Sequence, residues 1–325
     1  MSTDVAVYTQ PPENLIQLLT TNHLPHALPL LRRLRFTQFP GGISEHARII
    51  FASATNTPDI DSVDTPFAAA YLDLSRGPET QIWLYSSLER RPDALASAAS
   101  EGDKNENGRG VEEQKEEAAA ECARRVLRQV KKERDAYFAK VGGERSSTIL
   151  AGTLSEVLRL ALLNRGVVFP YVSVYDKWLF RLDNLPDVQS PLTTDMRWDK
   201  FQREDIPLML SRTNINRKER TIVLLPSMAV YRDDGTPIAW ALLGPDSSLS
   251  SLHCEEEWRG KGFAKAVAVR ILRERLIDFD GDQHCWADVA PDNPKSQRVC
   301  RSLGGKVAWS ISWSTIDLDQ SFPDQ

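Results

Sequence analysis

Cysteine is scarce, with 4 residues in a chain of 325. Cys122, Cys254, Cys285 and Cys300 have neither zinc-ligand spacing nor the density of a disulfide scaffold, so no metal site is expected and a reducing, cytoplasmic setting is. Long apolar runs are missing as well. No window approaches the roughly 18 consecutive apolar residues of a membrane span, and the first thirty residues carry no basic-then-apolar leader. Basic charge is not in excess: 40 Lys and Arg face 45 Asp and Glu, and the resulting net charge of −5 removes any general attraction to nucleic acid or an anionic membrane. No sequence period repeats. What is present is length and apolar content, 41% of the residues, enough for two domains that each bury a core. Nothing in the composition bears on oligomeric state.

Four stretches follow along the chain. Residues 1–96 carry short helices at Glu13 to Leu19 and Leu28 to Leu34, then strands at Ala47 to Ala52, Phe67 to Leu74 and Gln81 to Tyr85, an N-terminal α/β subdomain. Residues 97–110 are Ser, Ala, Gly, Asn and charge, a loop composition that cannot bury apolar surface. Residues 111–192 read as a helical connector, with helices over about Val111 to Val141 and Ser147 to Asn164. Residues 193–325 are the densest in signals. An edge strand at Asp195 to Phe201 and two short helices lead to the apolar runs Met228 to Arg232 and Pro237 to Leu243. These flank Asp233-Asp-Gly-Thr236, the strongest short-range hairpin pattern. A third strand, Leu249 to Cys254, follows a Pro245-Asp-Ser-Ser248 turn.

Next comes Arg259-Gly260-Lys261-Gly262-Phe263-Ala264. Glycines allow the backbone to turn tightly and a ligand to come close, and the helix that begins here points its first N–H groups and dipole at an anion. The helix is legible from spacing: Phe263, Val267 and Ile271 step by four beside a row of Ala264, Ala268, Leu272 and Leu276. After it, His284 to Ala290 reads as a buried strand. Asp292 or Asn293 can cap a further helix, Pro294 suits its first turn and Gly304 its end. Val307 to Leu318 supplies the last strand.

The Arg-x-x-Gly-x-Ala loop resembles the coenzyme A pyrophosphate loop of the GNAT N-acyltransferase superfamily, and the strand-Asn293-helix-Gly304 block resembles that superfamily's second motif. The order β-α-α-β-β-β-α-β-α-β over residues 195–318 is the superfamily's own. Within it, Leu224-Leu-Pro-Ser, Asp234-Gly-Thr-Pro-Ile-Ala-Trp240 and Glu256-Glu-Trp-Arg-Gly260 resemble the catalytic domain of the glycine N-acyltransferase-like branch. The implied fold is α/β (α+β), a mixed, mostly antiparallel sheet flanked by helices. Before it stands a smaller N-terminal domain, a candidate decayed copy of the same fold through Leu24-Pro-His-Ala-Leu-Pro-Leu30.

The resemblance implies acyl-CoA, acetyl-CoA first, as cosubstrate and a small amine or amino acid as acceptor, with direct attack and no metal. It implies that Leu252, His253 and Cys254 line the thioester arm through their backbone and that Arg259, Gly260, Lys261, Gly262, Phe263 and Ala264 cradle the pyrophosphate. Asn293 and Ser296 match the second motif. Glu257 matches the branch's general base, with Glu255 and His253 as neighbouring candidates. Cys300 stands where the superfamily usually has the Tyr that protonates the leaving thiolate, and Gly304-Gly305 replaces a Gly-Phe ending. Arg212 and Arg217, between the first two helices, are placed to hold an acceptor carboxylate. Each has a plainer reading: Glu257 as a helix-start carboxylate, Cys300 as a buried residue, the arginines as surface charge. Lys295, Arg298 and Arg301 read as a solvated helix face, and Trp178, Trp240, Trp286, Trp309 and Trp313 as core. The non-enzymatic alternative is an acyl-CoA-binding sensor or scaffold.

Overall fold

A computed structural model describes residues 4–55, 57–90, 106–213, 215–279 and 282–323. The chain forms two compact units. Unit 1 comprises residues 1–34, 44–173 and 312–325; unit 2 comprises residues 35–43 and 174–311.

Unit 1 starts with β1 (Ala6–Tyr8), α1 (Glu13–Asn22) and α2 (Leu28–Phe36), whose last two residues belong to unit 2. Strands β2 (Ala47–Ser53), β3 (Phe67–Asp73) and β4 (Ile82–Ser86) then form an antiparallel meander joined at its free side by β1. The long helix α3 (Glu106–Val141) lies against β2, β3 and β4. Its apolar residues Cys122, Val126, Leu127 and Val130 are fully buried in a core that also takes Ile50, Ala70 and Ile82. Next come β5 (Thr148–Ser155), parallel to β4, then α4 (Glu156–Leu163) and the start of β6 (Val168–Arg181). The unit is completed by the end of β12 (Lys306–Asp317), beside β5, and by α9 (Leu318–Ser321).

Unit 2 holds β7 (Met196–Asp199), α5 (Ile206–Ser211), α6 (Glu219–Ile222), β8 (Ser227–Arg232), β9 (Pro237–Leu243), β10 (Leu249–Cys254), α7 (Phe263–Arg275), β11 (His284–Val289) and α8 (Pro294–Ser302). The four strands β7 to β10 make an antiparallel sheet in the order β10-β9-β8-β7, and β11 pairs antiparallel with Asp176–Arg181 of β6. Helix α7 packs on β8, β9 and β10, with Val267, Ala268, Ile271 and Leu272 fully buried, as the four-residue spacing requires.

The order β-α-α-β-β-β-α-β-α-β therefore occurs twice, once from β1 to β6 and once from β7 to β12. The N-terminal half is a second copy of the fold. Two expectations are corrected. Ser147 to Asn164 is not one helix but strand β5 followed by α4. Thr148, Ile149 and Thr153 are β-branched and suit a strand, and Gly152 lies where a Cβ would come within 2.7 Å of the Thr80 side chain. The supposed helical connector over 111–192 also carries β6, whose patchy burial hid it from a two-residue period. Most of the loop composition at 97–110 lies outside the described residues; Glu106 to Gly110 are the first turns of α3.

Candidate functional site

Strand β10 is one edge of the four-stranded sheet of unit 2, and its ladder breaks midway. Leu249 and Ser250 pair with Leu243 and Leu242, His253 and Cys254 with Trp240 and Ala239, and the register shifts between the two pairs. Two residues, Ser251 and Leu252, therefore stand opposite one, Ala241, as in a β-bulge. Ser251 sits at φ 50°, a left-handed conformation that costs a serine on the order of 1–3 kcal/mol. Beyond the bulge, β10 and β11 come close without joining one ladder. An extended ligand carrying amide groups can add to β10 there as a further strand.

From Cys254 the chain passes through a 3-10 turn, Glu256–Trp258, into the glycine loop. Gly260 and Gly262 take φ of 76° and 89°, and a Cβ at either would point into open space. Arg259 Nε donates to Cys254 O at 3.0 Å and ties the loop to the strand end. Gly262 is the N-cap of α7 and supplies no side-chain cap, so the first N–H groups of this 13-residue helix remain available to an anion. Helix α8 contrasts with it: Asn293 Oδ1 accepts from Ser296 N at 3.1 Å, which satisfies that helix start internally. Lys261 is exposed with its Nζ 4.6 Å from the Trp258 ring centroid, and Trp258 meets Phe263 edge-on. The loop cation is thus stacked beside the cradle rather than aimed across it.

The acids separate by environment. Glu257 is exposed and forms no side-chain hydrogen bond or ion pair with the described residues. Glu255 is half-buried. Its Oε1 accepts from Arg212 Nε at 3.0 Å and its Oε2 lies 3.7 Å from His253 Nε2. The His253 ring stacks on Trp240, centroids 4.6 Å apart and planes 24° from parallel, and its buried Nε2 has no hydrogen-bond partner among the described residues. Burial holds the His253 pKa below the ordinary 6.5, with the Glu255 carboxylate pulling the other way. Arg217 Nη1 donates to Ser251 Oγ at 3.2 Å. Arg212, Arg217, Glu255, His253 and Ser251 thus converge on the β10 bulge.

Cys300 lies elsewhere in character. It is buried in the unit 2 core with Leu303 and Val289, and desolvation pushes its thiol up to about 12. The same burial moves Cys254 up to about 11. Trp178, Trp240 and Trp286 are core residues as expected; Trp309 and Trp313 are half-buried.

A cleft of about 620 Å³ is lined by residues from Lys200 to Ser227 and by Leu242 near the end of β9. Phe201, Ile206, Ile222, Val223, Leu225 and Leu242 supply its apolar lining, and the exposed Lys200, Arg203, Glu204, Glu219 and Arg220 its charged one. Leu242 is the register partner of Ser250, and the Phe201 ring, part of the lining, lies 5.3 Å from the buried Trp240 ring on which His253 stacks. Sequence reasoning missed the cleft, Ser251 and the Trp240–His253 stack. The last follows from the pairing of β9 with β10 across the Pro245 to Ser248 turn, which sets Trp240 opposite His253. No helix among the described residues is long and apolar enough to cross a membrane, and none of their acid, His and Cys side chains form a group able to hold a metal ion.

A family model described as the acyl-CoA N-acyltransferase verG N-terminal domain matches residues 2–181, and one described as FR47-like protein matches residues 229–314. No curated protein sequence matches the chain. Among solved structures, a Drosophila protein aligns at 15% identity with a TM-score of 0.60, covering 94% of this chain and 95% of its own, which shows a shared fold. A GCN5-related N-acetyltransferase from Sphaerobacter thermophilus aligns over 98% of this chain and 97% of its own at 13% identity and a TM-score of 0.44. A tandem GNAT protein from the clavulanic acid biosynthesis pathway covers 96% and 97% at 12% identity and 0.46.

Proposed function

This chain belongs to the acyl-CoA N-acyltransferase family whose N-terminal domain model spans its residues 2–181, and it is a GNAT-type N-acyltransferase; on that premise we propose that it transfers an acyl group, acetyl in the simplest case, from acyl-CoA to a small-molecule amine by direct attack. The observation that carries the reading is the junction of a bulged edge strand with an uncapped helix start through Arg259 to Gly262. A thioester arm pairs along β10 from Leu252 to Cys254, while the pyrophosphate lies on the α7 N–H groups beside Gly260 and Gly262. Acyl-CoA supplies an activated carbonyl and a thiolate leaving group. Everything else falls to the chain.

Backbone N–H groups at Ser251 and Leu252, taken out of the ladder by the bulge, are the donors for the carbonyl oxygen. His253 is the base that the geometry favours, ahead of Glu257. Its Nε2 has no hydrogen-bond partner among the described residues, its lowered pKa favours the neutral ring near pH 7, and Glu255 stands 3.7 Å away to steady the imidazolium once the ring takes the ammonium proton. Arg212 in turn holds Glu255. Glu257, on the exposed face of the 3-10 turn, is the helix-start carboxylate of its plainer reading.

A second reading, an acyl-CoA-binding sensor without turnover, draws on Cys300. A buried thiol pushed up to about 12 is no ready proton donor for a departing thiolate. The two separate in one assay: acetyl-CoA is offered with a panel of amines while thiol release and the N-acylated product are followed. Transfer predicts release that requires an amine, one amide per thiol. Tight acetyl-CoA binding with no release across the panel would leave only the sensor.

A further inference from the structure

We propose that the cleft between the start of α5, α6 and the ends of β8 and β9 holds the non-reacting body of the acceptor, and that this body is bulky and apolar or aromatic with a polar outer end. The inference rests on the N-acyltransferase reading and adds the class of amine. Volume comes first. A cleft of about 620 Å³ falls within the roughly 300–1,000 Å³ range of sites for drug-sized ligands and far exceeds the need of methylamine or glycine.

Position comes next. Leu242 and Trp240 are two residues apart on β9 and so share one face of the sheet, about 7 Å apart along the strand. Leu242 lines the cleft, while His253 stacks on Trp240. An amine whose body rests on Leu242 and Phe201 therefore has its nitrogen within a short reach of His253. Leu242 also pairs with Ser250, before the bulge, whereas the glycine loop follows Cys254, after it. A cosubstrate lying on the loop side leaves the cleft to a second molecule.

Chemistry decides between an acceptor and a long acyl chain. Ile206, Ile222 and Leu225 would suit either, but the exposed Lys200, Arg203, Glu204, Glu219 and Arg220 also line it, Arg203 paired with Glu219 at 2.6 Å. An acyl chain ending in a methyl would cover those charged groups and offer them no hydrogen bond in return. An amphipathic amine with a polar outer end leaves them solvated or hydrogen-bonded. The inference thus commits to the acceptor.

The test uses the full-length protein with tryptamine and methylamine as acceptors, acetyl-CoA and octanoyl-CoA as donors, and the Val223→Trp variant. Val223, the C-cap of α6, is exposed and lines the cleft, so a larger ring there can fill it without entering the core. The expected kcat/KM for tryptamine exceeds that for methylamine by at least about tenfold. Val223→Trp should collapse that ratio through the tryptamine KM while its melting temperature holds. Equal use of the two amines by the wild type, or a variant whose loss follows octanoyl-CoA instead of tryptamine, overturns the proposal, the latter by making the cleft an acyl pocket. Calorimetric titration with tryptamine keeps the cleft testable should no amine be acylated: binding weakened by Val223→Trp supports the site while the transferase reading fails, and absent binding to the wild type ends it.

Discussion

At the level of single residues, the chemistry turns on which side chain takes the ammonium proton. His253→Gln keeps a ring-sized polar group over Trp240 but removes the basic nitrogen, so turnover at neutral pH should fall by roughly 10² to 10⁴. Glu257→Gln should stay within a few-fold of the wild type, since that carboxylate touches nothing among the described residues. The pH profile carries the sign. The imidazole must be neutral to act, and burial lowers its pKa, so kcat/KM should rise through a limb below pH 6.5 and then level off. Glu255 pulls the pKa upward, so Glu255→Gln should move the limb to lower pH, a shift that a merely structural carboxylate would not cause. These roles were only partly legible in the sequence. His253 and Glu255 stand next but one to each other and drew notice as candidates, but Arg212 is 43 residues from Glu255 and reaches it only through the fold. A strand residue followed by three acids cannot be ranked without burial, which separates exposed Glu257 from half-buried Glu255.

Among the elements, the pieces with a strong local period read correctly. The four-residue step of α7, the Asp-Gly hairpin between β8 and β9, and the strand before the glycine loop appear where the sequence puts them, within a residue or so. Elements whose pattern is set by neighbours did not. The Leu-rich run from Thr148 to Leu163 has a helical period across its whole length, yet its first half pairs with β4 because close packing at Gly152 admits a strand and no Cβ. Strand β6 has no clean alternation because its two ends belong to different units. The two helix starts give a further prediction. Asn293 caps α8 with its side chain, so Asn293→Ala should lower stability by about 1 kcal/mol, read from the urea midpoint at unchanged m-value. A variant with wild-type stability but weakened acetyl-CoA binding would instead give Asn293 the ligand contact that the superfamily resemblance implies.

Over the whole molecule, the chain runs the same element order twice, and each unit is completed by chain from the other end of the sequence. Ile316, Leu318 and Phe322 are buried in the core of unit 1, although more than a hundred residues of unit 2 precede them. Ending the chain at Ile311 strips about 1.5–3 kcal/mol of burial for each of the three, comparable in sum with the stability of a whole domain. Unit 1 should then melt at least tens of degrees lower or fail to fold, as read by circular dichroism. The two copies also differ in what they can bind. The second has the Arg259 to Gly262 loop, whereas no Arg-x-x-Gly-x-Gly or Ala stands between β4 and α3 in the first. The most direct measurement is therefore a calorimetric titration of acetyl-CoA into the full-length protein and its Gly262→Asp variant, which sets a side chain and a negative charge at φ 89° beside the α7 N–H groups. The account predicts one site per chain in the wild type and loss of that site in a variant that still melts as a folded protein; two sites per chain, or undiminished affinity in Gly262→Asp, would contradict it.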